Sequence, residues 1–129
     1  MGAEADRVMG EFFRALQKEV KIIALDINEG LIDKTPVDTG WARANWILNI
    51  GTPFEGPIGT RDSFNTGQQE VGMAAVASQY QLSDGPVFIS NNVPYIESLN
   101  AGKSDQAPAG FIEEIIDRVV EESNRRILK

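Results

Sequence analysis

Apolar residues recur at helical intervals near the start of the chain. Phe12, Leu16, Val20, Ile23, Ile27 and Leu31 follow one another at steps of three or four, the spacing that stacks side chains on one face of an α-helix. Phe13 and Ile22 widen this stripe, while Arg14, Lys18, Lys21 and Glu29 fall largely off it. The pattern predicts a helix over residues 3–33. Gly30 can end it early or weaken its last turn, and Thr35-Pro36 stops it. A helix of that span is about 45 Å long at 1.5 Å per residue. A compact domain of 129 residues has a radius of gyration of about 14 Å. One small core cannot wrap such a helix, so its excess length must project or lie along a neighbouring chain.

After the helix comes Thr35-Pro36-Val37-Asp38-Thr39-Gly40. Pro36 fixes one backbone angle, Gly40 permits a positive one, and Asp38 and Thr39 can bond nearby amides, so the segment reads as a defined turn. From Trp41 to Ile50 the pattern changes to a period of two. Ala42, Ala44, Trp46, Leu48 and Ile50 share one parity, and Trp41, Arg43, Asn45, Ile47 and Asn49 share the other. This predicts a strand over 41–50 with one buried face. Residues 51–65 carry Gly51, Pro53, Gly56, Pro57 and Gly59 and read as an extended loop, either a mobile arm or a strand-linked hairpin.

Thr66 stands three residues before Gln69, the spacing of a capping box, and opens a predicted helix over 66–79. Val71, Ala74, Ala75 and Ser78 would form its small, close-packed face; the alternative is a coil that orders on binding. Asp84-Gly85-Pro86 marks a turn and 86–90 a short strand. Asn92 is placed to cap a short helix over 93–99, with Pro94 in its first turn. A loop follows from Gly102 to Gly110. A last helix over 108–128 carries Ile112, Ile115, Ile116, Val119 and Val120 on its apolar side. Long helices at both ends of a small, mainly antiparallel sheet give an α+β fold in a single domain over 1–129.

Composition narrows the chemistry. Cysteine and histidine are both absent, which removes disulfides, a thiolate nucleophile, and histidine as a base or metal ligand. No apolar run approaches the roughly 20 residues that span a bilayer. The opening residues, with Glu4, Asp6 and Glu11, do not read as a signal peptide, so an intracellular or assembly-borne protein is expected. Lys and Arg total 12 against 19 Asp and Glu, a net charge of -7. No Lys or Arg lies between Arg61 and Lys103, and that stretch would offer little to a phosphate backbone. Arg125, Arg126 and Lys129 read as favourable charges at a helix C-terminus.

Candidate catalytic groups are few. Glu113 and Asp117 share a helix face but have no histidine beside them, and read as solvated charges. Ser83-Asp84 and Ser104-Asp105 lack a base, and no glycine pattern matches a phosphate-binding loop. The residues therefore predict no catalytic site, no metal site and no cofactor.

Two segments carry a resemblance. The first is Thr35-Pro36-Val37-Asp38-Thr39-Gly40 followed by Trp41-Ala42-Arg43-Ala44-Asn45-Trp46. The second is Asn91-Asn92-Val93-Pro94-Tyr95-Ile96-Glu97, continuing through Leu99-Asn100-Ala101-Gly102 to Gln106-Ala107-Pro108-Ala109-Gly110-Phe111. Their order and spacing resemble the HK97 gp10-like family of tailed-bacteriophage neck and tail-completion proteins, over about residues 5–128. Thr35 to Gly40, Arg43 and Trp46 match the first family motif; Asn92, Tyr95, Glu97 and Gly102 match the second, with Pro108 leading to the last helix. The chain departs from the family at Asn100-Ala101-Gly102, where many relatives carry Gly-Thr. It departs again at Pro108-Ala109-Gly110-Phe111, and in the loop from Gly51 to Asn65.

The resemblance implies a non-enzymatic structural protein of the virion neck, assembled in the host bacterial cytoplasm. It would form a ring of six or twelve copies at the head–tail junction. The portal, head-closure or adaptor protein would lie above it and the tail terminator or tail tube below, with genomic DNA passing through unbound. A tail-terminator or head-closure ring component is the alternative, and a cellular protein-binding adaptor a more distant one. Under this reading Trp41, Trp46 and Tyr95 are structural anchors, Arg43 pairs with Glu97, and the loop 51–65 meets a partner. Phe12, Leu16, Trp41, Phe54 and Phe64 are the candidate interface residues.

Overall fold

The computed structural model describes residues 2–37 and 40–128. Helix α1 (Ala3–Lys34) leads into a single helical turn, α2 (Trp41–Ala44), and strand β1 (Ile47–Ile50). Helix α3 (Gly67–Gln79), a 3-10 turn (Leu82–Asp84) and strand β2 (Val87–Ser90) follow, then α4 (Ile96–Asn100) and α5 (Phe111–Ile127). The result is an α+β fold: long N- and C-terminal helices packed against a two-stranded antiparallel sheet.

The stripe on α1 divides between two environments. Ala24, Ile27 and Leu31 are buried, with Ile23 packed beside them. Ile27 and Leu31 join Trp46, Ala107, Phe111, Ile115 and Val119 in one core cluster. Burying a side chain the size of Leu31 or Phe111 contributes about 1.5–3 kcal/mol. Gly30 does not end the helix. It sits where α5 crosses, and a Cβ there would lie 2.9 Å from Ile115 Cγ2. The helix stops at Thr35, whose amide and hydroxyl both donate to the Leu31 carbonyl.

A second cluster joins Ala24, Leu48 and Val76, with Met73, Val87 and Ile89 packed on it. The ladder pairs Ile47 with Ser90, Leu48 with Ile89, Asn49 with Phe88 and Ile50 with Val87. Leu48, Ile50, Val87 and Ile89 thereby share one face of the sheet. Helix α3 lies against β1 at Gly72, where a Cβ would come within 2.4 Å of the Leu48 carbonyl oxygen. Only the absence of a side chain allows that approach.

Several sequence expectations are corrected. Residues 41–44 are helical, not the first half of a strand. Gly40 adopts φ 76°, and the turn closes through Ala44 N–H to Gly40 O and Asn45 N–H to Ala42 O. Both parities are buried there, Trp41, Asn45 and Ile47 along with Ala42, Ala44 and Trp46, so the alternation does not mark an inside and an outside. Alanine at two of four positions favours the helical turn.

Thr66 forms no capping box. Asn65 Oδ1 accepts the Gly67 amide, and Gln69 turns inward, donating to the Arg43 and Trp46 carbonyls. The buried side of α3 is Gln69, Gly72 and Val76, whereas Val71, Ala74 and Ser78 are exposed. Asn92 does not cap a helix, because α4 begins at Ile96 after Tyr95. Helix α5 begins at Phe111, three residues later than Pro108. Asp38, Thr39 and Lys129, which carried the turn and basic-end expectations, lie outside the described residues.

Candidate interaction surfaces

The two motif segments, far apart in sequence, meet at one side of the core. Trp46 Nε1 donates to Thr35 Oγ1 at 2.7 Å, and Thr35 Oγ1 donates to Leu31 O at 2.5 Å, a buried relay tying the strand to the end of α1. Asn91 Nδ2 donates to the Ala42 carbonyl, and the Val37 amide donates to Gln106 Oε1. The Trp41 and Tyr95 rings lie 6.0 Å apart between centroids. Trp41, Ala42 and Val93 form a small apolar cluster against which Tyr95, Ile96 and Leu99 pack. Pro36 is buried and Val37 exposed at the rim.

This junction also fastens the loop 51–65. Trp41 Nε1 donates to Ile58 O at 2.9 Å. Asn45 grips the same residue twice: its Nδ2 donates to Ile58 O, and its Oδ1 accepts the Ile58 amide at 2.6 Å. Asn92 Nδ2 donates to the Phe54 carbonyl, and more weakly to that of Gly56. The Arg61 guanidinium lies 6.0 Å from the Tyr95 ring centroid, and the Phe64 ring reaches to Gly40. Within the loop Thr60 and Ser63 bridge in antiparallel fashion. The loop is fastened to the core by these bonds, and its pairing among the described residues is this single bridge, so it is neither a free arm nor a strand-linked hairpin.

The remaining motif residues have separate roles. Arg43 Nη2 donates to the Asp33 carbonyl, and no ion pair joins Arg43 to Glu97 among the described residues; the expected pairing is corrected. Glu97 is exposed on α4. Gly102, at φ 89°, turns the chain beside Ala109. Pro108 lines a small groove of about 110 Å3 with Lys34, Phe111, Glu114, Ile115 and Arg118.

The candidate interface residues also separate. Trp41 is only 9% exposed, with its indole engaged inside the chain, so it packs as an anchor. Phe54 is half-buried and Phe64 lies at the loop surface. Phe12 (57% exposed) and Leu16 (39%) project from α1 together with Val8, Met9 and Phe13. From Ala3 to Leu16 every residue is exposed except Ala5 and Gly10, which are half-exposed. Among the described residues, the side-chain contacts within this arm are the exposed pairs of Arg7 with Glu4 and Glu11 and the Phe12–Phe13 edge contact. Support from the rest of the fold begins at Gln17, whose side chain accepts the Leu82 amide, and at Glu19, which meets Ser123 and Arg126. A second apolar set is exposed on α5, at Ile116, Val120 and Ile127, with Leu128 just beyond.

Sequence reasoning missed the amides that hold the loops: Asn45, Asn91, Asn100 and Gln106. Asn100 is the clearest case. Its Oδ1 accepts the Ile112 amide at 3.0 Å, and its backbone carbonyl accepts the Gly110 amide. Its Nδ2 donates 2.9 Å bonds to both Glu113 carboxylate oxygens. It thus caps the N-terminus of α5 from ten residues away in sequence. Those bonds, with a backbone contribution from Glu113 itself, hold the Glu113 carboxyl below the usual carboxylate range. The sequence signal for Asn45 was an amide set between Ala44 and Trp46 in a mostly apolar stretch. Among the described residues no cluster of three or more acidic groups could hold a metal ion, and no helix is long and apolar enough to cross a membrane. No protein-family description, curated protein or solved structure significantly matches this chain.

Proposed function

We propose that the chain is a non-enzymatic structural subunit of the tailed-phage virion neck. It would form a ring at the head–tail junction that completes the connector or tail around the DNA channel. The observation that carries this reading is the bare arm of α1. Five large apolar side chains on one side of a helix remain in solvent in the single chain, and an apolar patch of that kind marks a protein contact. The two motif segments, which meet through Trp41–Tyr95 and Asn91–Ala42, support the resemblance by giving both motifs one shared task. That task is to fix the helix ends and present the loop 51–65. The net charge of -7 suits a channel that DNA passes without adhering.

The test is a density map of the assembled particle. Copies of this chain in a closed ring between the portal side and the tail tube are expected. A neck in which no density fits the chain overturns the proposal. Copies seated directly on the last tail-tube ring would identify a tail terminator instead.

A further inference from the structure

We infer that the arm of α1 docks on the exposed side of α5 in a second copy of this chain, running antiparallel to it. The inference deepens the ring reading, and rests on it for closure.

The two exposed apolar sets match in size. Exposed fractions between 39% (Leu16) and 57% (Phe12) leave roughly 400 Å2 on the arm, taking about 150–200 Å2 for each fully exposed residue. Ile116, Val120, Ile127 and Leu128, at 37–83% exposed, leave roughly the same on α5. Either patch alone is too small for a stable association. Together they approach 800 Å2, about the apolar content of an interface burying roughly 1,300 Å2, which is standard size. They also match in length. Val8 to Leu16 rises about 12 Å, and Ile116 to Ile127 about 16 Å.

Charge sets the direction. The first turn of α1 carries Glu4 and Asp6, and the last turn of α5 carries Arg125 and Arg126. An antiparallel pair brings these ends together and opposes the two helix dipoles favourably. The same chemistry already operates within one chain, where Glu19 of α1 meets Arg126 of α5 at 2.9 Å; Glu4 pairs there with Arg7 and Arg125 with Glu121, so these groups would exchange partners on docking. An arm-to-arm pair would leave the α5 patch in water. Arm on α5 covers both patches with a single head-to-tail contact, the kind that closes into a ring.

The absence of cysteine makes the test clean. Full-length Phe12→Cys and Val120→Cys chains, one carrying a mass tag, are mixed and oxidised. The expected product is the mixed 12–120 adduct, at least tenfold above either homodimer, with native mass spectrometry giving a closed oligomer. Phe12→Asp should lower that oligomer at least tenfold while leaving the melting temperature of the single chain unchanged. A 12–12 adduct in its place, or a ring with neither adduct, overturns this contact and leaves the ring reading standing. A wild-type chain that stays monomeric at about 100 μM overturns the second copy as occupant, and the particle map then decides the ring reading separately.

Discussion

The two halves of α1 carry the same apolar rhythm and meet opposite fates. Phe12 and Leu16 lie in solvent, while Ile27 and Leu31, which continue the same steps, are 8% and 1% exposed. Nothing in the local pattern distinguishes them. What differs is the set of neighbours: the 3-10 turn reaches Gln17, α5 reaches Glu19, and Trp46, Phe111 and Ile115 close over Ile27 and Leu31. Periodicity therefore tells which side of a helix is apolar. It does not tell whether the same chain has anything to cover that side. Where it does not, the stripe is left to solvent in the single chain, as at Phe12 and Leu16.

The largest expected effect tests that difference inside one helix. Leu31→Ala removes a fully buried side chain and should cost about 2–5 kcal/mol in urea unfolding followed by circular dichroism. Phe12→Ala, measured on the monomer, should stay within about 0.5 kcal/mol. Equal losses would mean that the arm is packed in the isolated chain, and the contrast between the halves would fail.

A smaller effect should change sign along the helix. Gly10 and Gly30 are both glycines within α1. At Gly10 an added Cβ meets only the tip of the Arg14 side chain, at 3.3 Å, which can move aside. Gly10→Ala should therefore stabilise by about 0.5–1 kcal/mol through helix propensity. At Gly30 the new Cβ meets buried Ile115 at 2.9 Å and Arg118 at 3.1 Å. Gly30→Ala should destabilise by about 1–2 kcal/mol, overpacking outweighing propensity. Thermal melts of the two variants give the comparison directly. A stabilising Gly30→Ala would show that α5 does not press on α1 there.

The α+β class, the long end helices, the antiparallel strands and the mismatch between α1 and the core were legible in the sequence. The helices rest on long apolar periods, which average out local ambiguity. The errors lie in short segments where two patterns coincide. Trp41 to Ile50 alternates in parity, yet a helical turn followed by a four-residue strand satisfies the same letters. Thr66 and Gln69 had cap spacing, but Gln69 was needed inside to bond the Arg43 and Trp46 carbonyls. Asn92 looked like a cap and instead holds the loop at Phe54. In each case a tertiary partner took a side chain that local rules assigned to its own helix. The junction of the two motifs was partly legible, through Trp41, Trp46 and Tyr95. The amides that complete it were not, because an asparagine's partner can lie anywhere in the chain.

A last effect, of similar small size, concerns what holds α5 over the base of α1 and leaves the arm untouched. Asn100 donates to both Glu113 oxygens and lowers that carboxyl's pKa from its ordinary value. A carboxyl whose folded pKa lies below its unfolded value, about 4.3 for Glu, contributes stability that is fully present above that value. The contribution is lost as pH falls through the folded pKa. Wild type should therefore lose slightly more stability than Glu113→Gln between pH 5 and pH 3, as about-equal steps of pH are compared in thermal melts. Asn100→Ala should return the Glu113 titration, followed by NMR, towards the ordinary range, and it also removes the acceptor for the Ile112 amide. Loss of that cap should cost about 1 kcal/mol at neutral pH. Loosening should spread from the start of α5 to Ile115 and Gly30, and hydrogen exchange at the base of α1 should rise while that of the arm, already unsupported, stays as it was. If exchange rose equally in both halves, α5 would be covering more of α1 than its base.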